Sequence, residues 1–403
     1  MIKRLNPTST LIRDAKSANV LEQASRSPSG EFTLRWLDTV EALEEISVAW
    51  EALLEQSLVP NMGFSPTFLI PAFKHLSNCD TQVIVVESKS DDPRADAPVL
   101  CGLIPVVRKS ISHLPIPGLQ IWHHNQAFDA TPLVRHDCAA EVLTFLLQQL
   151  AEQKFGLLEW GMFSAEPAFE VAFTQAVEAA GVSKFQKESF SRAALRPAAT
   201  FDDYRRQHVS KSIQRNHRRL ARRLEEQGDV RFEISDQNSN FAILAQEFLE
   251  IETRGWKGEA GTALACNPAE KAFYLDLISR AADAGQARFV TLRLDGKPIA
   301  MLSDLQFDGV VYSYKTTFDD AFSAYSPGLQ AELKNIEFMH ERRIEIADSC
   351  TASDNNTINR IWGQELKFQS VVLGLKPGIA QIATRMMPTA QATIRGLKSL
   401  RKS

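Results

Sequence analysis

The sequence predicts a mixed α/β protein built from two tandem copies of one unit, each a mixed sheet flanked by helices. The 403-residue chain is longer than one hydrophobic core usually covers. Short β-branched runs alternate with helical patterns along its length. The order of the first half is strand, two helices, strands, helix, strand, helix, strand, and it returns in the second half. Two domains of the same architecture are therefore expected.

Composition excludes several classes of protein. Hydrophobic residues make up 44% and charged residues 23%, and the net charge of -4 selects no class of partner. The five cysteines form no Cys-x-x-Cys pair, which argues against a disulfide framework and against a metal site. No uncharged run approaches the ~20 residues that a membrane-spanning helix needs. We expect a cytoplasmic protein with no stable membrane insertion and no metal.

The first half begins with a polar, Ser-rich segment over residues 1–29, which is predicted to be a disordered tail. The N-terminal domain follows over residues 30–196. FTLRW is its first strand, Asp38 or Thr39 caps the next helix, and a second helix starts at Ser65-Pro66. The remaining elements are the strands TQVIVVES and PVLCGLIPVVRK, a helix over Ala139–Glu152, the strand FGLLEW, a helix around Ala172–Ala180 and a strand over Phe185–Leu195.

The second half is predicted to form a C-terminal domain over residues 197–377. A basic tail follows over residues 378–403, which contain no Asp or Glu. The predicted elements are the strand VRFEIS, helices over Ser239–Arg254 and Pro268–Ala284, the strands ARFVTLRLDG, KPIAMLSDLQFDG and VVYSYKTTFD, a helix from Pro327, the strand RRIEIAD, a short helix around Asn355–Trp362 and the strand LKFQSVVLG.

The stretch AYSPGLQAEL, Ala324 to Leu333, marks where the helix from Pro327 begins. The first turn of a helix exposes unpaired N–H groups and a partial positive charge, which suit an anion such as phosphate. Gly328 permits close approach to the backbone, and Ser326 can cap the helix or bind a phosphate oxygen. From the residues alone, a plain helix start and an anion site both remain open.

Four segments carry a resemblance to a known family: SKSIQRNHRRLARRLEEQG, FLEIETRGWKGEAGTAL, GKPIAMLSDLQFDGVVYSYKTTFDDAFSAYSPG and IADSCTASDNNTINRIW. With them the chain resembles the tandem acetyltransferase-like proteins of the GNAT superfamily that carry the label of the cellulose-biosynthesis protein CelD. These are distant relatives of the FemABX aminoacyl transferases. In the first half the resemblance lies in the element order and in FSPTF.

The resemblance implies two GNAT-like domains with splayed sheets and an acyl-CoA bound in the C-terminal one. Its pyrophosphate would lie on Ser326, Pro327, Gly328, Leu329 and Gln330. The implied reaction moves an acetyl group from acetyl-CoA, or an acyl group from another acyl-CoA, to a small-molecule amine. An amino sugar of cell-surface polysaccharide (cellulose or exopolysaccharide) metabolism is the implied acceptor. The turn departs from the usual superfamily pattern, with serine at its first glycine position, so the acyl carrier stays open.

Two other functions remain as alternatives. One is a FemABX-like transferase that uses aminoacyl-tRNA, and the other is a non-catalytic accessory protein of polysaccharide biosynthesis. The basic segment Arg205–Arg223 has eight Arg or Lys residues, no acidic residue and one apolar seam, so it predicts a cationic helix that binds an anionic ligand or is simply solvated. It lacks interleaved aromatic residues, so nucleic acid is not the expected ligand.

The chemistry requires a base for the amine, a backbone N–H for the oxyanion and an acid for the departing thiolate. Asp348, at the end of a strand, is the candidate base or else the cap of a turn. Tyr314 and Cys350 are candidate acids or else packed side chains. The oxyanion donor is expected on the strand that bears Tyr314, at a bulge that the sequence does not place.

Four residues are the predicted substrate-binding set: Glu252, Trp256, Lys257 and Lys315. Lys315 is a cation in an otherwise uncharged strand segment, and burial without a partner is costly, so it can meet a phosphate or an acidic substrate. A solvent-facing side chain would remove that argument. The other three belong to a helix end with Gly258 and Gly261, which is either a binding surface or a helix terminator.

Overall fold

The computed structural model describes residues 28–90, 98–111, 116–342, 344–351, 355, 357–378 and 380–387. The described chain divides into two compact units. Unit 1 contains residues 28–73, 77–189 and those from 368 onward, and unit 2 contains residues 74–76 and 190–367. The predicted tail over 1–29 lies outside the described residues except for 28 and 29, which belong to a strand. Residues 380–387 of the predicted basic tail are helical, and 388–403 lie outside the described residues.

Unit 1 follows the predicted order of elements. Thr39, the second of the two predicted caps, accepts the N–H of Ala42, and Ser65 caps the helix that starts at Pro66. The predicted first helix breaks into two at Ile46. The elements are β1 (Pro28–Leu37), α1 (Val40–Glu45), α2 (Ser47–Glu55), α3 (Pro66–Leu76), β2 (Thr81–Ser90), β3 (Val99–Arg108), β4 (Gly118–Ile121), β5 (Leu133–Val134), α4 (Ala139–Glu152), β6 (Leu157–Ser164), α5 (Pro167–Ala179) and β7 (Ser183–Leu195).

Unit 2 repeats this order with longer helices around three antiparallel strands. The predicted strand RRIEIAD is a strand over Ile346–Asp348. Within the described residues of the predicted helix around Asn355–Trp362, the helical element is the 3-10 turn Ile358–Arg360. The elements are α6 (Phe201–His208), α7 (Lys211–Glu225), β8 (Val230–Ile234), α8 (Phe241–Arg254), α9 (Trp256–Glu259), α10 (Pro268–Asp283), β9 (Ala287–Leu294), β10 (Lys297–Phe307), β11 (Val310–Phe318), α11 (Pro327–Glu341), β12 (Ile346–Asp348) and β13 (Gln364–Gly374).

The two units share one strand order, and each completes it with a strand from the other half of the sequence. Unit 1 has the order β1-β2-β3-β4-β6-β13 and unit 2 the order β8-β9-β10-β11-β12-β7. The fourth and fifth strands of each set pair in parallel and the other neighbours in antiparallel fashion. Neither unit is therefore one continuous stretch of chain, whereas the predicted domains 30–196 and 197–377 are. The predicted mixed α/β class and repeated order are confirmed.

The core of unit 2 contains a buried polar cluster beside its apolar clusters. Arg288 of β9 makes an ion pair with Asp304 of β10, and Asn335 of α11 bonds to both side chains. On the same helix, Glu332 accepts a hydrogen bond from the indole N–H of Trp362 at 2.8 Å. Burial, with Asp304 nearby, raises the pKa of Glu332 to about 8. This glutamic acid is thus largely protonated at neutral pH.

Candidate active site

Strands β11 and β12 of unit 2 pair over only three residues, Val310–Tyr312 with Ile346–Asp348. Beyond that point a cleft of about 360 Å³ is lined by residues 313–318 of β11 and by residues 349–351, which follow β12. The helix junction at Gly255–Lys257 lines it as well. The cleft has the volume of a small-molecule site, and it begins where the parallel pairing ends.

A β-bulge shapes the β11 wall of this cleft. Ser303 of β10 pairs with Lys315 and Leu305 pairs with Tyr312, so Asp304 faces two residues, Ser313 and Tyr314. Tyr314 and Lys315 both line the cleft, and the Lys315 ammonium lies 4.9 Å from the centroid of the Tyr314 ring. This is a bulge on the strand where the oxyanion donor was expected.

Lys315 lines the cleft half-buried and without a counter-ion. Its ammonium forms no hydrogen bond or ion pair with any residue that the structure describes, and its contact with Tyr314 is a cation–π contact. Burial, reinforced by the positive charge of Lys257, lowers the pKa of Lys315 to about 8. The predicted cation therefore lies at the cleft.

Glu252, Trp256 and Lys257 also line the cleft, but they differ in what their polar groups contact. Glu252 is 3% exposed, accepts from the Lys257 ammonium at 2.8 Å and from the backbone N–H of Leu264 at 2.8 Å, and so has both oxygens engaged. Lys257 also donates to the carbonyl of Thr316 on β11, at 3.1 Å. Trp256 is 56% exposed and presents its ring at the cleft. Glu252 thus supports the wall, whereas Trp256 remains accessible to a ligand.

The turn that carries these residues depends on glycine. A Cβ at Gly258 would lie 1.8 Å from the carbonyl oxygen of Thr253, closer than any real contact. The N–H of Trp256 donates to a carboxylate oxygen of Asp320 at 2.6 Å, which fixes the start of α9. The Trp-Lys-Gly stretch is therefore a tightly packed turn held against the wall of the cleft.

The three predicted catalytic residues lie in different surroundings. Asp348 is 3% exposed and forms a two-pronged ion pair with the buried guanidinium of Arg192, and one of its oxygens also accepts the N–H of Cys350 at 2.9 Å. It does not line the cleft, whereas Tyr314 and Cys350 do. Cys350 has a left-handed backbone, with φ 51°. Burial raises the pKa of Tyr314 well above its usual value, so the phenol keeps its proton.

The predicted cofactor turn lies next to the cleft but does not line it. Ser326 has a left-handed backbone, Pro327 begins α11, and the N–H groups of Gly328 and Leu329 donate to no residue that the structure describes. A Cβ at Gly328 would lie 3.3 Å from the ring of Phe318, which lines the cleft. The side chain of Gln330 is tied to the carbonyl of Tyr325, and Leu329 packs on the core. The backbone N–H groups of this turn and the hydroxyl of the half-buried Ser326, which has no hydrogen bond with a described residue, are available to an anion.

A cation of the basic segment comes close to this turn. The guanidinium of Arg223, on α7, lies 5.7 Å from the ring centroid of Tyr325, the residue before Ser326. Elsewhere in the segment, Arg205 and Arg206 are paired with Asp202 and Asp203. Two N–H groups without a described partner, the positive end of α11 and a neighbouring guanidinium suit an anion such as a phosphate.

Comparison with known proteins agrees with this geometry. Residues 211–355 match the family model described as the acetyltransferase (GNAT) domain. The chain therefore carries a GNAT-type domain over these residues. The matched segment contains the cleft, except for Ile358, and the whole turn at Ser326. Searched against curated protein sequences, the chain gives no match.

Solved structures with a similar fold cover most of the chain. A crystal structure of FemX is 11% identical, covers 82% of this chain and 95% of its own, and has a TM-score of 0.51. A C-terminal domain named for lysylphosphatidylglycerol synthetase, from Agrobacterium fabrum, is 11% identical, with coverages of 86% and 96% and a TM-score of 0.51. A protein of unknown function from Bacteroides thetaiotaomicron is 13% identical, with coverages of 85% and 100% and a TM-score of 0.52. At these identities the similarity shows the fold alone, and the predicted fold of two similar mixed α/β units is confirmed.

Several residues of the site were not predicted from the sequence. Arg192, which holds Asp348, lies 156 positions away along the chain, and no local pattern links the two. The cleft wall also contains residues with hydroxyl groups: Ser313, Thr316, Thr317 and Ser349. Strand alternation along β11 predicts that some of these side chains share a face of the strand, but it does not predict which face borders the cleft. Among the described residues, no cluster of His, Cys, Asp or Glu is arranged to hold a metal. Within the same residues, no helix combines the length and the apolar character needed to cross a membrane.

Proposed function

We propose that the protein is an acyl-CoA-dependent N-acyltransferase that transfers an acetyl group to an amine. The observation that carries this proposal is the cleft between β11 and β12, which lies within a GNAT-type domain and adjoins the helix start at Pro327. Acetyl-CoA supplies a thioester, whose carbonyl is activated towards attack by an amine. The predicted link to CelD-like proteins and to cell-surface polysaccharide remains part of the proposal, as do the amino-sugar acceptor and the cytoplasmic location.

The turn at Ser326 is proposed to hold the diphosphate of the cofactor through backbone N–H groups. Gly328 and Leu329 supply two N–H donors that have no described partner, and Arg223 adds a cation near Tyr325. The side chain of Gln330 stabilises the turn rather than the ligand, because it is already bonded to Tyr325. Pro327 has no N–H and sets the start of the helix.

Proton transfer in the cleft is proposed to use Tyr314 and solvent. Tyr314 lines the cleft and keeps its proton, because burial raises its pKa, so it can donate to a departing thiolate. Glu252 is the carboxylate among the described lining residues, and both of its oxygens are engaged. Asp348 is likewise bound to Arg192. We infer that the proton of the amine leaves to water through the open cleft.

The cofactor proposal is tested by two variants that differ only in charge, Gly328→Glu and Gly328→Gln. Both introduce a side chain of the same size beside Phe318. A carboxylate at a helix N-terminus favours the helix but repels a diphosphate. Calorimetric titration with acetyl-CoA should show binding to the wild type. The Glu variant should bind about tenfold more weakly than the Gln variant, which is a difference of roughly 1.4 kcal/mol in binding free energy.

Equal affinity of the two variants would place the diphosphate elsewhere. No binding of acetyl-CoA to the wild-type protein would overturn the proposed function and favour a non-catalytic accessory protein. In either case, circular dichroism of the variants should match the wild type, because the substitution affects one turn at the surface.

A second candidate, transfer from aminoacyl-tRNA, is favoured by the outer face of α7. This helix carries six Lys or Arg residues that form no ion pair with a described acidic side chain: Lys211, Arg215, Arg218, Arg219, Arg222 and Arg223. Binding of tRNA that falls steeply between about 50 and about 200 mM salt would support it. Triple replacement of Arg218, Arg219 and Arg222 by Gln should then reduce both the affinity and the salt dependence.

A further inference from the structure

One cation at the cleft, the ammonium of Lys315, is accessible to a ligand and has no counter-ion among the described residues. Lys315 lines the wall, and its ammonium has no hydrogen bond or ion pair with any described residue. The β11 bulge, at Ser313 and Tyr314, lies directly before it on the strand. A half-buried ammonium without a counter-ion is costly, and a bound anion offsets that cost.

The other charged groups near Lys315 do not neutralise it. Lys257 adds a second positive charge and is itself paired with Glu252. Glu252, Glu270 of α10 and the Cys350 thiol favour the charged ammonium electrostatically, while burial and Lys257 oppose it, and the net effect lowers the pKa of Lys315 to about 8. No described carboxylate therefore forms an ion pair with the Lys315 ammonium.

Several residues with hydroxyl groups line the cleft with Lys315. Ser313, Thr316 and Thr317 are among them, and their side chains form no hydrogen bond with any residue in the described part of the chain. Ser349, 5% exposed, lines it from the β12 side, and its buried hydroxyl has no partner there either. Donor hydroxyls beside an ammonium suit the oxygens of a carboxylate or a phosphate.

We propose that the cleft accepts an amine that also carries an anionic group, a carboxylate or a phosphate, and that Lys315 binds this group. This inference rests on the proposed function for the role of the amine. Trp256, exposed at the cleft, supplies a flat apolar surface for the body of such an acceptor. A cationic second group on the acceptor would instead meet Lys315 and Lys257 and be repelled.

A matched set of amino sugars tests this inference by kinetics: glucosamine, glucosamine 6-phosphate and glucosaminuronic acid. They share the ring and the amine and differ only in the group at the sixth carbon. The wild-type protein with saturating acetyl-CoA should show a KM at least about tenfold lower for one of the two anionic sugars than for glucosamine. Which of the two is preferred distinguishes a phosphate from a carboxylate.

Two variants separate charge from structure. Lys315→Met keeps the length of the side chain and should raise the KM of the preferred anionic sugar about tenfold more than that of glucosamine. Lys315→Arg should restore most of the preference. An equal effect of Lys315→Met on all three sugars, or a preference for glucosamine itself, would overturn the inference.

A binding measurement decides the matter even if none of these sugars is a substrate. Reductive methylation with ¹³C-formaldehyde gives each lysine an NMR signal, and Lys315→Met assigns that of Lys315. Titration with acetate or inorganic phosphate, at constant ionic strength with chloride, should shift the Lys315 signal saturably and leave that of exposed Lys211 unsaturated.

A Lys315 signal that responds like that of Lys211 would refute the anion site. The proposed function is tested independently by acetyl-CoA calorimetry, so the two failures are distinguishable. Loss of acetyl-CoA binding with a saturable Lys315 shift would leave an anion-binding cleft without the transferase.

Discussion

Replacing Asp348 by Asn is expected to destabilise unit 2 strongly, because the carboxylate is a structural partner of Arg192. The two residues are each 3% exposed, and their side chains are joined by two hydrogen bonds. Asn keeps the shape but leaves the guanidinium without its counter-ion in a buried site. Breaking a buried pair from one side costs roughly 3–5 kcal/mol.

The assay is urea unfolding followed by tryptophan fluorescence. With a urea dependence of about 3 kcal/mol per molar, the loss corresponds to a midpoint lowered by roughly 1–2 M. The double variant Arg192→Met/Asp348→Leu, which replaces the pair by apolar groups, should lose much less than Asp348→Asn alone. The matched control is Asp229→Asn, which breaks an exposed pair with Arg231 and should cost less than about 1 kcal/mol.

The same variant discriminates between the structural and catalytic assignments of Asp348. If Asp348→Asn unfolded at the wild-type urea concentration while the transferase rate fell a hundredfold or more, on the scale of general-base catalysis, the structural assignment would be refuted. A loss of stability with an unchanged rate in the fraction that remains folded would support it.

Three further outcomes are expected. Because the pKa of Glu332 is raised from 4.5 to about 8, its contribution to the free energy of unfolding is full below pH 4.5 and is lost as the pH rises through about 8. In thermal melts at a series of pH values, Glu332→Gln should flatten this fall in stability. A pH profile unchanged by the substitution would contradict the assignment. Gly258→Ala should lower the melting temperature and reduce acceptor turnover, because the added Cβ would meet the carbonyl of Thr253. The control Ala260→Ser, at an exposed residue, should do neither. Wild-type behaviour of Gly258→Ala would show that the turn relaxes freely. Tyr314→Phe should lower kcat about a hundredfold with little change in acetyl-CoA affinity, and an unchanged kcat would remove Tyr314 as the acid.

Most elements of the fold follow from local patterns in the sequence. The helix over Ala139–Glu152 coincides with its prediction, and the helix start at Pro327 was marked by Ser-Pro-Gly. These features depend on residues a few positions apart, such as a cap three residues before its N–H, and local sequence therefore determines them. The turns at Asp295-Gly296 and Asp308-Gly309 likewise have the left-handed glycines that such a sequence favours.

The site depends on contacts between distant segments, which a single sequence does not specify. Lys315 was identified by its charge, but the cleft that it lines forms between β11 and the segment after β12, which are distant in the sequence. Asp348 matched the pattern of a catalytic carboxylate, and only the fold brought Arg192 to it. The sequence by itself determined the elements and the residue types available for chemistry. Tertiary structure alone decided which groups are neutralised and which remain exposed to a ligand, because strand register and long-range pairing set the electrostatic surroundings of each side chain.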